Sequence, residues 1–419
     1  MTILRACLGL CFFCGLAYAL SSDRRRFPWR VVAFGIALQV ALAFVVLRTE
    51  LGRRALESLG AFVAKLISMA SPGARLVFGP LAEAEGPAGF VLAFAGTGLV
   101  VILFFSALMG VLYHLGVMQV LIYALARVLS ATLGVSGAEA MAIAANVFVG
   151  QTEAPLVVRP YIAGMTRSEL FALMTGGFAT IAGSVLAVYM GILGPEYGPH
   201  LLTASVMSAP AAFAMAKILS PESEEPATGR RVTLRVDRSA HNLIEAAANG
   251  TTDGLKLYLN VIAMLIAFMG LISLVDWPLA WVGEELDLAG GLSLGRAFGW
   301  VLAPVAWVMG VVGWHDCQVF GSLLGTKIAL NELVAYSQLQ DLLPGAGPGA
   351  FEEVRSAKMA AYALCGFANF ASIGIQMGGI TPLAPERRSE LSSIALRAML
   401  GGAFASWMTA TVAGAFVGP

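Results

Sequence analysis

The sequence predicts an all-α polytopic membrane protein: eight transmembrane helices plus two re-entrant helical hairpins in inverted repeats, with an interfacial amphipathic helix. Three observations carry this. Of 419 residues, 58% are hydrophobic and only 12% charged, against about 25% charged in a soluble domain, so apolar residues must face lipid and a soluble enzyme is excluded. Eight apolar runs approach the roughly 20 residues that a bilayer core demands of a helix. Two further apolar stretches, interrupted by glycine, proline and a carboxylate, are too broken to cross and sit in matching surroundings. The 26 basic and 26 acidic residues balance, and nothing in the charge points to a nucleic-acid polymer as partner.

The spans are Ile3 to Leu20, Val31 to Leu47, Phe90 to Leu112, Phe171 to Leu193, Leu201 to Leu219, Leu257 to Val275, Met359 to Ile380 and Ile394 to Val417. The first has the alternative of a signal peptide, since Ala17-Tyr18-Ala19 is an acceptable cleavage site. The stronger basic cluster, Arg24, Arg25, Arg26 and Arg30, follows that run, and the positive-inside rule keeps it in the cytoplasm. Both termini then lie outside. The same orientation puts Arg230, Arg231, Arg235, Arg238, Arg387, Arg388 and Arg397 inside and the loop of Glu284, Glu285 and Asp287 outside. Arg48, Arg53, Arg54, Lys65 and Arg75 dissent. Between Leu51 and Ala70 charges alternate with apolar residues, which suits a helix lying in the interface. Cys7, Cys11 and Cys14 share a helix face, where small thiols pack as apolar groups without an ion.

From Ala138 to Ile162 the apolar run is broken at Asn146, Gly150, Gln151, Thr152, Glu153 and Pro155, leaving two legs too short to cross. This reads as a re-entrant hairpin, about 138–163. Phe320 to Leu339 carries Lys327, Asn331 and Glu332 and reads as a second, about 317–340. Gly134-Val135-Ser136-Gly137 precedes the first hairpin and Gly310-Val311-Val312-Gly313 the second. Gly177-Phe178-Ala179-Thr180 follows the first and Gly366-Phe367-Ala368-Asn369 the second. Three spans separate the hairpins, so the repeats enter from opposite faces. Leu115 to Leu129 and Ala297 to Trp314 read as connecting helices in equivalent places; the alternative, Ala297 to Trp314 as a ninth span, would make the repeats parallel. The domains are 1–89, two scaffold helices and the interfacial helix; 90–220, the first repeat; 221–256, a cytoplasmic connection; and 257–419, a scaffold span and the second repeat.

A carboxylate at membrane depth costs several kcal/mol unless it is buried in protein or lines a wet cavity, and it is functional by default. Glu153 and Glu332, at equivalent repeat positions, are expected to converge on one site with Gln151, Thr152, Asn331, Asn369 and Ser372. Amides and hydroxyls rather than clustered arginines suit a neutral, hydroxyl-rich substrate. Either glutamate has the alternative of capping a broken helix end. Lys327 reads as a snorkelling or helix-pairing lysine, and His315 with Asp316 as a cap. No phosphate-binding loop, zinc-protease motif or Cys/His metal spacing is present.

Gly325-Thr326-Lys327-Ile328-Ala329-Leu330-Asn331-Glu332-Leu333-Val334-Ala335 resembles the G-x-K-x-x-x-N-E-F-V-A signature of concentrative nucleoside transporters, with Leu333 for Phe. Ala368-Asn369-Phe370-Ala371-Ser372-Ile373-Gly374 is similar to their A-N-F-S-S-I-G, with Ala371 for Ser. Gly150-Gln151-Thr152-Glu153-Ala154-Pro155 resembles their first hairpin tip, and Ile181-Ala182-Gly183-Ser184-Val185 their following broken helix. The likeness covers nearly the whole chain and is clearest from Phe90 onward. It implies a homotrimer in the inner membrane, each protomer with a scaffold and a mobile transport part. It also implies a nucleobase meeting Gln151, Thr152, Glu153 and Val185 beside Phe367, and ribose hydroxyls meeting Glu332, Asn369 and Ser372. A coupling Na⁺ would sit among Asn146, Val149, Thr180 and Ile181. The expectation is a sodium-coupled nucleoside symporter working by elevator-type alternating access, not an enzyme. The alternatives are proton coupling, a membrane-embedded enzyme, which lacks a nucleophile or metal, and a channel.

Overall fold

The computed structural model describes residues 2–83, 93–96, 98–229, 240–288 and 291–418, and among these the regular structure is helical, with no strand. The start of the expected span from Phe90 lies outside the described residues, as do Arg230, Arg231, Arg235 and Arg238. The first part of the chain forms α1 (Thr2–Ala19), α2 (Trp29–Arg48), α3 (Glu50–Ser68), α4 (Ser71–Phe78), α5 (Val101–His114) and α6 (Val117–Leu133). Helix α1 belongs to the packed bundle: Phe13 is fully buried and stacks at 6.2 Å on Phe404. Helix α3 is amphipathic as expected. Arg53 pairs with Glu50 and Glu57 and Arg54 with Glu50 on its exposed side, while Val63 and Ile67 are buried.

The first hairpin is α7 (Gly137–Asn146), a tip, and a returning leg split into α8 (Ala154–Val157) and α9 (Arg159–Ile162). Then come α10 (Arg167–Ala179), α11 (Gly183–Leu193), α12 (Gly198–Leu219) and the long α13 (Leu243–Glu285). The second half continues with α14 (Leu294–Met309), the second hairpin of α15 (Trp314–Ala329) and α16 (Glu332–Asp341), then α17 (Val354–Leu364), α18 (Phe370–Ile380) and α19 (Arg388–Phe416). The two connecting helices are turned sharply, α6 by 77° from α5 and α14 by 111° from α15.

Three of the eight expected spans are corrected: over its described residues Phe90 to Leu112 is a continuous helix only from Val101, with turn at 98–100. Phe171 to Leu193 is not one helix but α10 and α11, interrupted where Thr180 and Ala182 are extended. Met359 to Ile380 is α17 and α18, interrupted at Gly366, whose φ of +148° leaves the helical region. Hydropathy is blind to such breaks because the interrupting residues are themselves small or apolar. The span expected at Leu257 to Val275 is the middle of α13, whose 43 residues reach about 65 Å at 1.5 Å each. Alone, α2, α12, α13 and the stretches Glu50–Ala82 and Pro385–Phe416 are long and apolar enough to cross among the described residues.

The hairpins enter from opposite ends of the bundle. At one end Arg397, near the start of α19, donates to the carbonyls of Leu20 and Leu219, and Arg387 donates to Ala163 and Met165 at the base of the first hairpin. At the other, Arg5 at the start of α1 reaches the carbonyl of Val311, and Arg355 holds Gly310 and Gly414, the far end of α19. Asp316, at the base of the second hairpin, is fully buried there and accepts from the backbone of Glu352 and Glu353 at the start of α17. It does not cap its own helix, whose N-cap Gly313 makes no side-chain bond, but ties the hairpin base to the backbone leading into α17. Since α1 and α19 each run from one end to the other, the inverted arrangement follows.

Each hairpin is anchored by a buried lysine. Ser136 with Glu139 and Thr166 with Glu169 form capping boxes that start α7 and α10. Lys217 of α12 ties them down, 2.7 Å from Glu139, 3.4 Å from Glu222 and 2.8 Å from the Ser168 hydroxyl. Lys327 of α15 does not snorkel: it is fully buried and donates to the Ala363 carbonyl at 2.9 Å and to Ser406 at 3.1 Å, pairing the hairpin with α17 and α19. Removing one partner of a buried ion pair costs about 3–5 kcal/mol, whereas an exposed pair contributes little. Lys217→Met is therefore expected to lower the thermal unfolding midpoint of the detergent-solubilised protein sharply. Lys256→Met, which removes an exposed pair with Asp253, should leave it within error.

Candidate functional site

The breaks in α10/α11, α15/α16 and α17/α18 free backbone groups inside the bundle, and the sequence supplies polar side chains there. Asn331 caps α16, its Oδ1 accepting from the Val334 N–H at 2.9 Å, and Asn369 caps α18, accepting from the Ser372 N–H at 2.8 Å. The Asn369 amino group is left to donate to Glu332 Oε2 at 2.9 Å, and the Tyr189 hydroxyl of α11 donates to Glu332 Oε1, also at 2.9 Å. On the same face of α18, Ser372 accepts from Gln151 Nε2 at 3.2 Å. Gln376, one turn further on, donates to Gln151 Oε1 and to the Met174 carbonyl, both at 3.1 Å.

One chain of polar contacts thus runs Tyr189, Glu332, Asn369, Ser372, Gln151, Gln376, all buried. It is built reciprocally: the tip of the first hairpin meets α18 of the second half, and the second hairpin meets α11 of the first. Tyr189 also stacks on Tyr336 of α16 with ring centroids 4.3 Å apart, and Tyr336 donates to the Ala361 carbonyl at 2.8 Å. Thr152 packs under Gly379, where an added side chain would start 3.2 Å from its methyl. Val185 and Phe367 are half-buried against the core.

Four expected substrate residues, Gln151, Glu332, Asn369 and Ser372, lie in this one network, and Thr152 adjoins it. Glu332 begins α16 and is committed to Tyr189 and Asn369, so it is not a helix cap. Glu153 departs from the expected equivalence with Glu332. It is exposed, occupies the N-cap position of α8 without a side-chain capping bond, and folds back over Gly150, where a side chain would collide with it. The reason is local: the first tip turns at 151–153 into the four-residue α8, which Pro155 starts, while Glu332 begins the longer, unsplit α16. Tyr189 and Gln376 were not expected. Gln376 had a signal, being seven residues from Asn369 and four from Ser372 on one helix face; Tyr189, in an apolar run, had none.

Beside the network, Asn146 (1% exposed), Val149, Thr180 and Ile181 are all buried where α7, the tip and the α10 break meet. Gly176 permits this approach, since a side chain on it would start 2.7 Å from Ile143 and 3.5 Å from the Asn146 amide. The Asn146 amino group donates to the Ala142 carbonyl at 3.1 Å, leaving Oδ1 buried with no hydrogen-bond partner among the described residues. The Thr180 hydroxyl donates to Gly176 and keeps its lone pairs. A buried unpartnered amide oxygen beside a hydroxyl and carbonyls fits a hard cation.

Helices broken at mid-bundle, hairpins from opposite ends and a polar site holding one buried carboxylate between them define a membrane transporter of the inverted-repeat kind. Models of the sodium-dependent nucleoside transporter family match residues 8–81 (N-terminus) and 200–414 (C-terminus), and a nucleoside-recognition model matches residues 95–196. An uncharacterized transporter of Haemophilus influenzae is 42% identical over 418 residues, covering 100% of this chain and 99% of that one. Sodium/nucleoside cotransporter 1 of Rattus norvegicus is also 42% identical, over 97% of this chain, which spans only 62% of that protein's length. Among solved structures, CNTnw in an inward-facing substrate-bound state aligns with a TM-score of 0.92 at 39% identity over 100% of both chains. A doubly substituted CNTnw in an outward-facing state aligns at 0.90 and 39% identity, over 99% of this chain and 98% of that one. The chain belongs to the concentrative nucleoside transporter family, a family of transporters rather than enzymes.

The hydroxyl of Tyr189 is a single donor to a buried carboxylate, and a hydrogen bond to a charged group contributes about 1.5–3 kcal/mol. Tyr189→Phe keeps the ring stack on Tyr336 and should lower the unfolding midpoint; an unshifted midpoint would show that Glu332 does not depend on it.

Proposed function

We propose that this protein is a sodium-coupled nucleoside symporter of the inner membrane, importing nucleosides such as uridine by elevator-type alternating access. The observation that carries this is the continuous polar chain from Glu332 through Asn369 and Ser372 to Gln151, contributed by both halves of the molecule. In this reading the Glu332 carboxylate and the Asn369 and Ser372 side chains take the ribose hydroxyls. Gln151, Thr152, Glu153 and Val185 meet the base, with Phe367 as an apolar wall. Amides and a hydroxyl that both give and accept suit a neutral base edge. The names of the mammalian relatives and of the substrate-bound relative agree with it.

Coupling is assigned to Na⁺ at Asn146, Val149, Thr180 and Ile181. These residues join the first hairpin to the α10 break, and the Gly183 N–H binds the Phe148 carbonyl at 3.0 Å across the same junction. A cation there supplies the charge that Asn146 Oδ1 otherwise lacks and fixes the tip that carries Gln151. Because the hairpins and the broken helices grip one another, they travel as one body, with α5 and α13 as the scaffold. Gly250 and Gly254 of α13 allow close approach to Ser106 of α5, as small residues do between membrane helices. Lipid and neighbouring copies in a homotrimer cover the exposed apolar side of α13, and both termini face outward.

Glu332→Gln and Asn369→Ala are expected to abolish uridine uptake in proteoliposomes while still purifying as trimers; retained uptake in both would refute the ribose assignment. If sodium organises the first hairpin, linkage makes the coupling reciprocal. Replacing sodium by choline should weaken uridine binding about tenfold or more, ~1.4 kcal/mol per decade, and Asn146→Ala should remove that dependence. Equal affinity in choline, or uptake driven by a proton gradient alone, would overturn sodium coupling.

A further inference from the structure

We infer that Gln376 is a positioning residue for nucleobase recognition. It holds the Gln151 amide with its carbonyl turned away from the substrate and its amino group turned toward it, so that the site selects bases by a hydrogen-bond acceptor. The inference rests on the proposed base contact of Gln151 and adds what sets its polarity.

An amide's two ends are told apart only by their partners. Here the accounting is forced by the Met174 carbonyl, which can only accept, so the end of Gln376 lying 3.1 Å from it must be the amino group. That group has two protons. The second points to the Gln151 atom 3.1 Å away, which must therefore be the carbonyl oxygen. Gln151 is left with its amino group forward, one proton directed to Ser372 Oγ at 3.2 Å and the other uncommitted. Ser372 Oγ, having accepted that proton, has its own hydroxyl proton to offer. Gln151 is thus a donor toward the base, while the Glu332 carboxylate at the other end is an acceptor suited to sugar hydroxyls.

Gly177 is part of the device. A side chain there would start 2.6 Å from Gln376 Nε2 and 3.2 Å from the Gln151 β-carbon, so only glycine leaves the two amides room to meet. Gln376 itself is 1% exposed, and among the described residues its side chain hydrogen-bonds to Gln151 and the Met174 carbonyl, which makes it a residue that acts at second hand.

The test is a double-mutant cycle in proteoliposomes, reading uridine KM and Vmax for Gln151→Ala, Gln376→Met and the double variant, with Gly177→Ala as an independent perturbation. Gln376→Met keeps the length and removes both donors. It is expected to raise uridine KM about tenfold with Vmax within about twofold, Gly177→Ala is expected to do the same, and the double variant should be no worse than Gln151→Ala alone. The relative affinity for 2′-deoxyuridine should stay unchanged in Gln376→Met, because the sugar end is untouched. Additive losses in the double variant, or a fall in Vmax at constant KM, would assign Gln376 a purely structural role. If Gln376→Met is not recovered folded, Gln376→Asn replaces it, being too short to span Met174 and Gln151 together. A Gln151→Ala protein with normal uridine KM would overturn the assigned base contact and this inference with it. Wild-type vesicles that take up no nucleoside would instead fault the proposed function.

Discussion

Within a bilayer no water is at hand for an interrupted helix, so every backbone group freed at a break must find a partner in the protein. That constraint organises this molecule. Each break is answered by a short polar side chain or by a neighbouring backbone: Asn331 on α16, Asn369 on α18, Gly183 on the Phe148 carbonyl, Thr180 on Gly176. An asparagine that caps with its oxygen still has an amino group to spend, and in Asn369 that group turns to Glu332. The proposed binding chemistry is the unspent half of the capping chemistry. The site is tied to the helix framework through Asn369, because loosening that residue would also unsatisfy the start of α18.

The reciprocal placement of the halves gives this tie a direction. The first hairpin reads α18 and the second reads α11, so neither half can leave without the other. Lys217 extends the tie to the base of the first hairpin and Lys327 secures the second beside its tip, each spending a buried charge to hold its hairpin against its neighbours. Such charges are costly to bury alone and are stable only with good geometry on all sides. The result is a body with opposite entrances and a shared middle, which suits movement as a unit more than internal rearrangement.

Much of this was legible in the sequence because polar residues are rare in apolar runs and stand out there. Gln151, Glu332, Asn369 and Ser372 announced themselves in that way, and the duplicated Gly-Val-x-Gly and Gly-Phe-Ala signals gave their pairing. The amphipathic α3 and the connecting helices were equally readable. What stayed hidden was geometric. Thr180 to Ala182 and Cys365 to Asn369 interrupt helices without lowering hydropathy enough to show, so by hydropathy α10/α11 and α17/α18 read as continuous spans, and only the family resemblance of Ile181 to Val185 implied the first break. Tyr189 is an aromatic residue in an apolar helix, and only its approach to Glu332 gives it meaning. Matching repeat positions do not give Glu153 and Glu332 one environment: Glu153 precedes the short α8 without a capping bond, whereas Glu332 begins α16 and bonds Tyr189 and Asn369.

The central claim is that one nucleoside bridges the two halves, sugar at Glu332 and Asn369, base at Gln151. An experimental structure with uridine bound tests it most directly. The account requires the ribose hydroxyls within hydrogen-bonding distance of Glu332 and Asn369, and a base acceptor facing the Gln151 amino group. Uridine held by residues of one half alone, or lodged away from the Glu332 to Gln151 network, would contradict it.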